Sequence, residues 1–162
     1  MEDEQLRALE HTLGHTFRDR DLIERAMRHA SISDSRVESN ERLEFLGDSV
    51  LGLIACERIY EKYPRLLEGE MTKIKSSVVS RKACARIAGK LELERFMLVG
   101  KGMQTAGDLP SSLGAAALEA GIAASYLDVD IDAARPFPVP LRHPVTKPPA
   151  RLGPQQHHTS GR

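Results

Sequence analysis

The sequence predicts an all-α domain. Apolar residues recur three and four positions apart through residues 4 to 134, and no segment alternates apolar and polar residues with the period of a strand. Glycines, prolines and polar clusters break the apolar pattern into pieces of helical length. At 162 residues the chain has room for one domain with a substantial core. Residues 135–162 read differently: they hold seven of the nine prolines, no acidic residue and no apolar period. Such a stretch cannot bury enough surface to fold, so the expected organisation is a helical domain over 1–134 followed by a disordered, Pro-rich basic tail over 135–162.

The elements follow in order. Leu6, Leu9 and Leu13 stripe a first helix over residues 4–13, and Gly14 ends it. Asp19 or Asp21 starts a second over residues 20–30, with Leu22, Ile23 and Met27 inward. Ser31 to Ser39 is a polar loop. Ser39 or Asn40 then caps a long central helix that runs to Tyr63, before Pro64. In it Leu46, Val50, Leu53 and Ile54 form the face expected to be buried. After Gly69, the apolar positions are Met71, Ile74, Val78 and Val79. The interleaved Lys73, Lys75, Arg81, Lys82, Arg86 and Lys90 form either an ordinary solvated face or a surface that tracks phosphates. Gly100 to Pro110 is a loop, and Ser111 or Ser112 caps a last helix ending at Leu127.

Composition excludes several classes. The acidic start, Met1-Glu2-Asp3-Glu4, is no signal peptide, and no apolar run is long enough to span a bilayer. A cytoplasmic protein with no membrane partner is therefore expected. Cys56 and Cys84 sit in helical patterns and read as small buried hydrophobes in a reducing compartment. Basic and acidic residues balance at 23 each, but five of the basic ones (Arg135, Arg142, Lys147, Arg151 and Arg162) lie in the tail, leaving the body at −5. Such a body cannot hold a polyanion by bulk charge and needs local basic patches and bound cations. Tyr60, Tyr63, Phe96 and Tyr126 are scattered at core-like positions, which argues against a stacking platform for single strands.

One stretch carries chemistry. Asn40 to Leu51, N-E-R-L-E-F-L-G-D-S-V-L, places Glu41, Glu44 and Asp48 along one stripe of the central helix. Most acidic stripes are simply solvated, and Arg42 can offset the charge locally. Where the carboxylates repel one another instead, a hard divalent cation such as magnesium relieves them. In the last helix, Glu119 is the only charged residue between Leu113 and Leu127, and it is either a solvent-facing edge or a further member of the cluster.

The run from Asn40 to Leu51 resembles the catalytic motif of the ribonuclease III family, endonucleases that cut double-stranded RNA. His15-Thr16-Phe17, Asp21-Leu22-Ile23 and His29-Ala30-Ser31 are similar to the family's N-terminal helices. Tyr63-Pro64-Arg65 with Glu68-Gly69-Glu70-Met71, and Ser112 to Asp128, continue the resemblance, which covers residues 5 to 134.

The resemblance implies a ribonuclease III-like helical endonuclease domain over 1–134. It implies metal ligands Glu44, Asp48 and Glu119, magnesium as cofactor with manganese an alternative, and hydrolysis of phosphodiesters in double-stranded RNA to 5′-phosphates. Asp48 and Glu119 then serve catalysis directly, with Glu41 and Glu68 in supporting positions. It implies a homodimer in which Phe45 packs into the partner subunit. The chain departs from the pattern at one place. The family's last helix presents Asp-x-x-Glu, and here the aspartate position holds Ala116. The alternative to an active nuclease is thus a catalytically impaired dimer that binds or scaffolds double-stranded RNA. Full-length members continue into a double-stranded-RNA-binding domain, which residues 135–162 do not resemble; a minimal member, a fragment and a frame-shifted product remain open.

Overall fold

In the computed structural model, which describes residues 1–104, 109–139 and 141, the chain winds around one buried helix. That helix, Ser111–Asp128, is two-thirds Ala, Gly, Leu and Ile, and every residue from Leu113 to Ser125 is buried. A helix that is apolar on all sides must be covered on all sides. Its small residues let neighbours come close.

The covering elements follow in chain order as α1 (Asp3–Leu13), α2 (Arg20–Ala26), α3 (Glu41–Lys62), α4 (Glu68–Val78), α5 (Arg81–Lys90) and α6 (Lys101–Gln104). The buried helix is α7, and α8 (Ile131–Ala134) follows it. Single 3-10 turns lie at Arg36–Glu38 and Leu93–Phe96. Helices α3 and α5 make the most extensive packing on α7, with α2 and α8 at its sides and α4 on the outer flank of α3. Among the described residues there is no β-strand, only an isolated bridge between Arg28 and Leu98. The all-α expectation holds.

Local chemistry sets the boundaries. Gly14 takes φ 72° and its N–H bonds to the Glu10 carbonyl, closing α1 in the left-handed cap that glycine adopts without strain. The Asp19 carboxylate caps α2 by accepting from the Asp21 N–H at 3.0 Å. Ser80 caps α5 by accepting from the Ala83 N–H at 3.2 Å. At the end of α7 the Asp128 carboxylate accepts from the Arg18 and Asp19 backbone N–H groups at 3.0 and 2.8 Å, and pairs with His15 Nε2 at 2.8 Å. One side chain thus ties the α1–α2 connection to the buried helix Ser111–Asp128.

The structure corrects several expectations. Helix α2 stops at Ala26, short of residue 30, because the backbone of Met27 and His29 turns to bond Leu98, seventy residues further on. Leu53 is 52% exposed, and the buried arc of α3 runs instead through Leu43, Gly47, Val50, Leu51, Ile54, Ala55 and Ile59. Cys84 is buried as expected, but Cys56 is exposed, and neither forms a disulfide. Tyr60 is also surface-exposed rather than core. The loop expected from Gly100 contains the short helix α6.

The largest correction concerns the start of the tail. Phe137 is 1% exposed and Val139 is buried, so residues 135–139 belong to the folded body. Arg58 on α3 holds them by donating to the carbonyls of Phe137 and Arg135, while Arg135 itself pairs with Glu57 and Asp132. Residues 142–162, where the expectation of disorder also falls, lie outside the described residues.

Candidate active site

Helices α3 and α7 cross where their backbones touch. A Cβ on Gly47 would stand 1.7 Å from the Glu119 carbonyl oxygen, so no larger residue fits there. This contact lays the middle of α7 against the acidic turn of α3. Glu119 then faces the stripe of Glu41, Glu44 and Asp48, and all four carboxylates line one open cleft of about 390 Å³. Phe45, Val79 and Arg81 complete its walls. The four acids that spacing alone left as a solvated face on one helix and a lone charge on another are thus brought together.

Their environments differ. Glu119 is 5% exposed. Burial, and then the charges of Glu44 and Asp48, push its carboxyl up to about 7. The neighbouring Cys84 thiol, which donates to the Val79 carbonyl at 3.8 Å, works in the opposite direction. That thiol is itself pushed up to about 12, by its own burial and then by Glu119, so it stays protonated as a donor. Glu44 accepts from Arg81 Nη1 at 2.8 Å. Glu41 is held by Arg36, whose Nη2 and Nε reach its two oxygens at 2.5 and 3.1 Å. That hydrogen bond, followed by the guanidinium charge, keeps the Glu41 carboxyl below its ordinary range. Asp48 is exposed on the cleft floor.

Glu68 is not in this cleft. It lines a separate apolar pocket of about 430 Å³ between α3 and α4, with Cys56, Tyr60, Met71 and Lys75. Ala116, one turn before Glu119, is buried and does not line the cleft. Phe45 stands 80% exposed at the cleft's edge.

The donor set of Glu44, Asp48 and Glu119 is three hard oxygen ligands carrying up to three negative charges, which suits magnesium or manganese chemically. The side chains are not drawn into a closed set: among the described residues no three acid, histidine or cysteine groups stand close enough together to hold a metal ion. Arg81 occupies Glu44 instead. Sequence reasoning treated Arg81 as surface charge, Cys84 as a plain hydrophobe and Gly47 as one letter of a motif. Only the place of Arg81 in the basic segment after Gly69 was visible, and nothing local pointed it at Glu44.

Known proteins resemble the chain along most of its length. The ribonuclease-III-like family model matches residues 19–139. A ribonuclease 3 from Rhodopirellula baltica is 52% identical over 116 residues, 72% of this chain and 44% of that protein. A ribonuclease 3 from Caulobacter vibrioides is 44% identical over 130 residues, 78% of this chain and 56% of that protein. The chain therefore spans about half the length of the curated relatives it matches. The nuclease domain of ribonuclease III from Campylobacter jejuni, a structure described for flexibility in the region involved in dimer formation, superposes with a TM-score of 0.75 at 35% identity. The match covers 80% of this chain and 90% of that one.

Proposed function

Because the chain belongs to the ribonuclease-III-like family, we propose that it is a metal-dependent endoribonuclease acting on double-stranded RNA. The observation that carries this reading is the convergence of Glu44, Asp48 and Glu119, from two helices, on one cleft. A bound magnesium or manganese ion would supply Lewis-acid chemistry there, polarising the scissile phosphate and acidifying water. Glu44, Asp48 and Glu119 would hold and orient that ion. Water adds to phosphorus as its proton passes to solvent. The bond to the 3′-oxygen breaks, leaving a 5′-phosphate. Substrate is held from the side: α5 carries four cations and no acid, and Arg81, Lys82, Arg86 and Lys90 are all exposed. Phosphate contacts of that kind position a duplex without reading its sequence.

The catalytic unit we propose is a homodimer. Phe45, Leu53 and Tyr60 leave an exposed apolar line along α3, at 80%, 52% and 75%. Phe45 lies at one end of it and the apolar pocket beside Tyr60 at the other. A twofold axis passing near Leu53, midway between them, brings each Phe45 to the partner's pocket, as an isologous interface requires. The same pairing brings Glu68, on that pocket's rim, toward the other subunit's acidic cleft, and gives it the supporting role that one chain alone does not.

A second reading, a dimer that binds double-stranded RNA but cleaves it poorly, is favoured by Ala116 alone, which contributes no oxygen. One assay separates the two: long double-stranded RNA incubated with the protein in magnesium or in chelator and resolved on a gel. Magnesium-dependent fragments establish the nuclease. Intact RNA with a retained gel shift establishes the second reading.

A further inference from the structure

Arg81 faces the acidic cleft, and the catalytic reading does not use it there. It is the first residue of α5, fixed beside the Ser80 cap, and it reaches across to α3. Its Nη1 lies 2.8 Å from Glu44 Oε1, and the two residues are 37 positions apart, so tertiary packing and not helical spacing makes the pair. Of the residues lining the cleft, Arg81 is the one cation among four carboxylates.

We propose that Arg81 is a built-in competitor for the divalent ion: its guanidinium occupies Glu44 in the metal-free chain, and an entering ion must take Glu44 from it. This rests on the reading that Glu44, Asp48 and Glu119 receive the ion. Three observations support the exchange. With Glu44 turned to Arg81, no closed set of three ligands exists among the described residues. Binding a metal therefore needs a side-chain rearrangement, and Glu44 is the ligand already engaged elsewhere.

The exchange is also inexpensive. The Arg81 side chain is 56% exposed and that of Glu44 23%. Releasing the arginine strands no buried charge, and a pair of this exposure is worth on the order of 1 kcal/mol, or about fivefold in an equilibrium. Arg81 therefore tunes ion affinity without abolishing it. The freed guanidinium stands at the head of the Lys82, Arg86 and Lys90 face, and its planar fork suits a phosphate oxygen pair. Metal entry and RNA docking are thereby coupled through one side chain.

The test is manganese binding to the full chain without RNA, measured by calorimetry at fixed ionic strength, for the native protein and for Arg81→Ala, Arg81→Gln, Lys82→Ala and Asp48→Asn. Arg81→Ala and Arg81→Gln are expected to bind manganese about fivefold more tightly, the strength of the pair they remove. Lys82→Ala, which removes an equal charge that holds no ligand, should change affinity less than about twofold, since exposed charges are screened. Unchanged or weaker binding in both Arg81 variants overturns the proposal, and so does an equal gain in Lys82→Ala, which would make the effect general electrostatics. Asp48→Asn tests the underlying reading separately. If it binds manganese as well as the native chain, or if no form binds manganese, the ligand assignment itself fails.

Discussion

The carbonyl oxygen of Glu119 rests against the α-carbon of Gly47, where any side chain would stand 1.7 Å from it. This contact sets the spacing between α3 and α7 and, with it, the distance from the Glu119 carboxylate to Glu44 and Asp48. Gly47→Ala should force the two helices apart. The expected cost is about 3 kcal/mol, at the upper end for overpacking because backbone rather than a side chain must move. Thermal melting checks the stability. Cleavage, measured well below the variant's melting temperature, should fall further than the loss of folded protein explains.

Removing the exposed anchor should separate the subunits. Phe45→Glu places a charge against the partner's apolar pocket in the proposed interface, where it has no partner and would have to be buried. The variant is expected to run as a monomer by light scattering at concentrations where the native chain is a dimer, with its melting temperature as a folded monomer retained. A native chain that is monomeric at micromolar concentration would sink the dimer.

Ala116 lies one turn before Glu119 on α7, at the spacing that places side chains on the same face. Ala116→Asp should restore an oxygen ligand and raise magnesium-dependent cleavage at least about tenfold, equivalent to ~1.4 kcal/mol of transition-state stabilisation. Binding of uncut RNA, measured in calcium, should change little. An unchanged rate in Ala116→Asp together with its loss in Glu119→Ala would show that position 116 is not a ligand position.

The acidic cleft should make the metal-free protein sensitive to pH in a definite direction. The Glu119 carboxyl sits near 7 in the folded chain against 4.5 when free, raised by burial and then by Glu44 and Asp48. The folded state therefore holds this proton more tightly than the unfolded state does. Its contribution is fully present below the unfolded value and is lost as pH rises from about 4.5 through about 7. In chelator, the fall in stability from pH 5 to pH 8 should be smaller in Glu119→Gln than in the native chain by on the order of 1 to 3 kcal/mol. Denaturant titrations at the two pH values measure it, and an equal fall in both proteins refutes it.

Phe137 should behave as a core residue despite its proline-rich surroundings. Phe137→Ala is expected to cost about 3 to 5 kcal/mol, and truncation before Pro136 at least as much. Truncation after Leu141 should leave the melting temperature within a few degrees, because residues 142–162 have no composition for a core. Differential scanning calorimetry on the three forms decides it.

Much of this was legible in the chain. The apolar period specified helices, and Gly14 and the pair Asp19 and Asp21 marked the ends of two of them, because capping is decided within a turn or two of the residue concerned. The acidic stripe of α3 and the isolated charge of Glu119 were visible for the same reason: they are local. Their meeting was implied only by the family resemblance and by no local pattern, since it depends on Gly47 admitting the backbone of a helix some seventy residues later. Leu53 was misplaced because the period reports an apolar stripe without saying which arc the neighbour covers, and only the seat of α7 settles that. Arg81 looked like any surface cation until α5 packed beside α3 and turned it to Glu44. Phe137 was read with its prolines, by composition, whereas its burial is decided by Arg58 on a helix far upstream. What the sequence determined by itself were the elements and the chemistry each carries. Which side chains share a cleft, which face stays bare and where the folded body ends depended on contacts between distant segments, whose energies no local pattern contains.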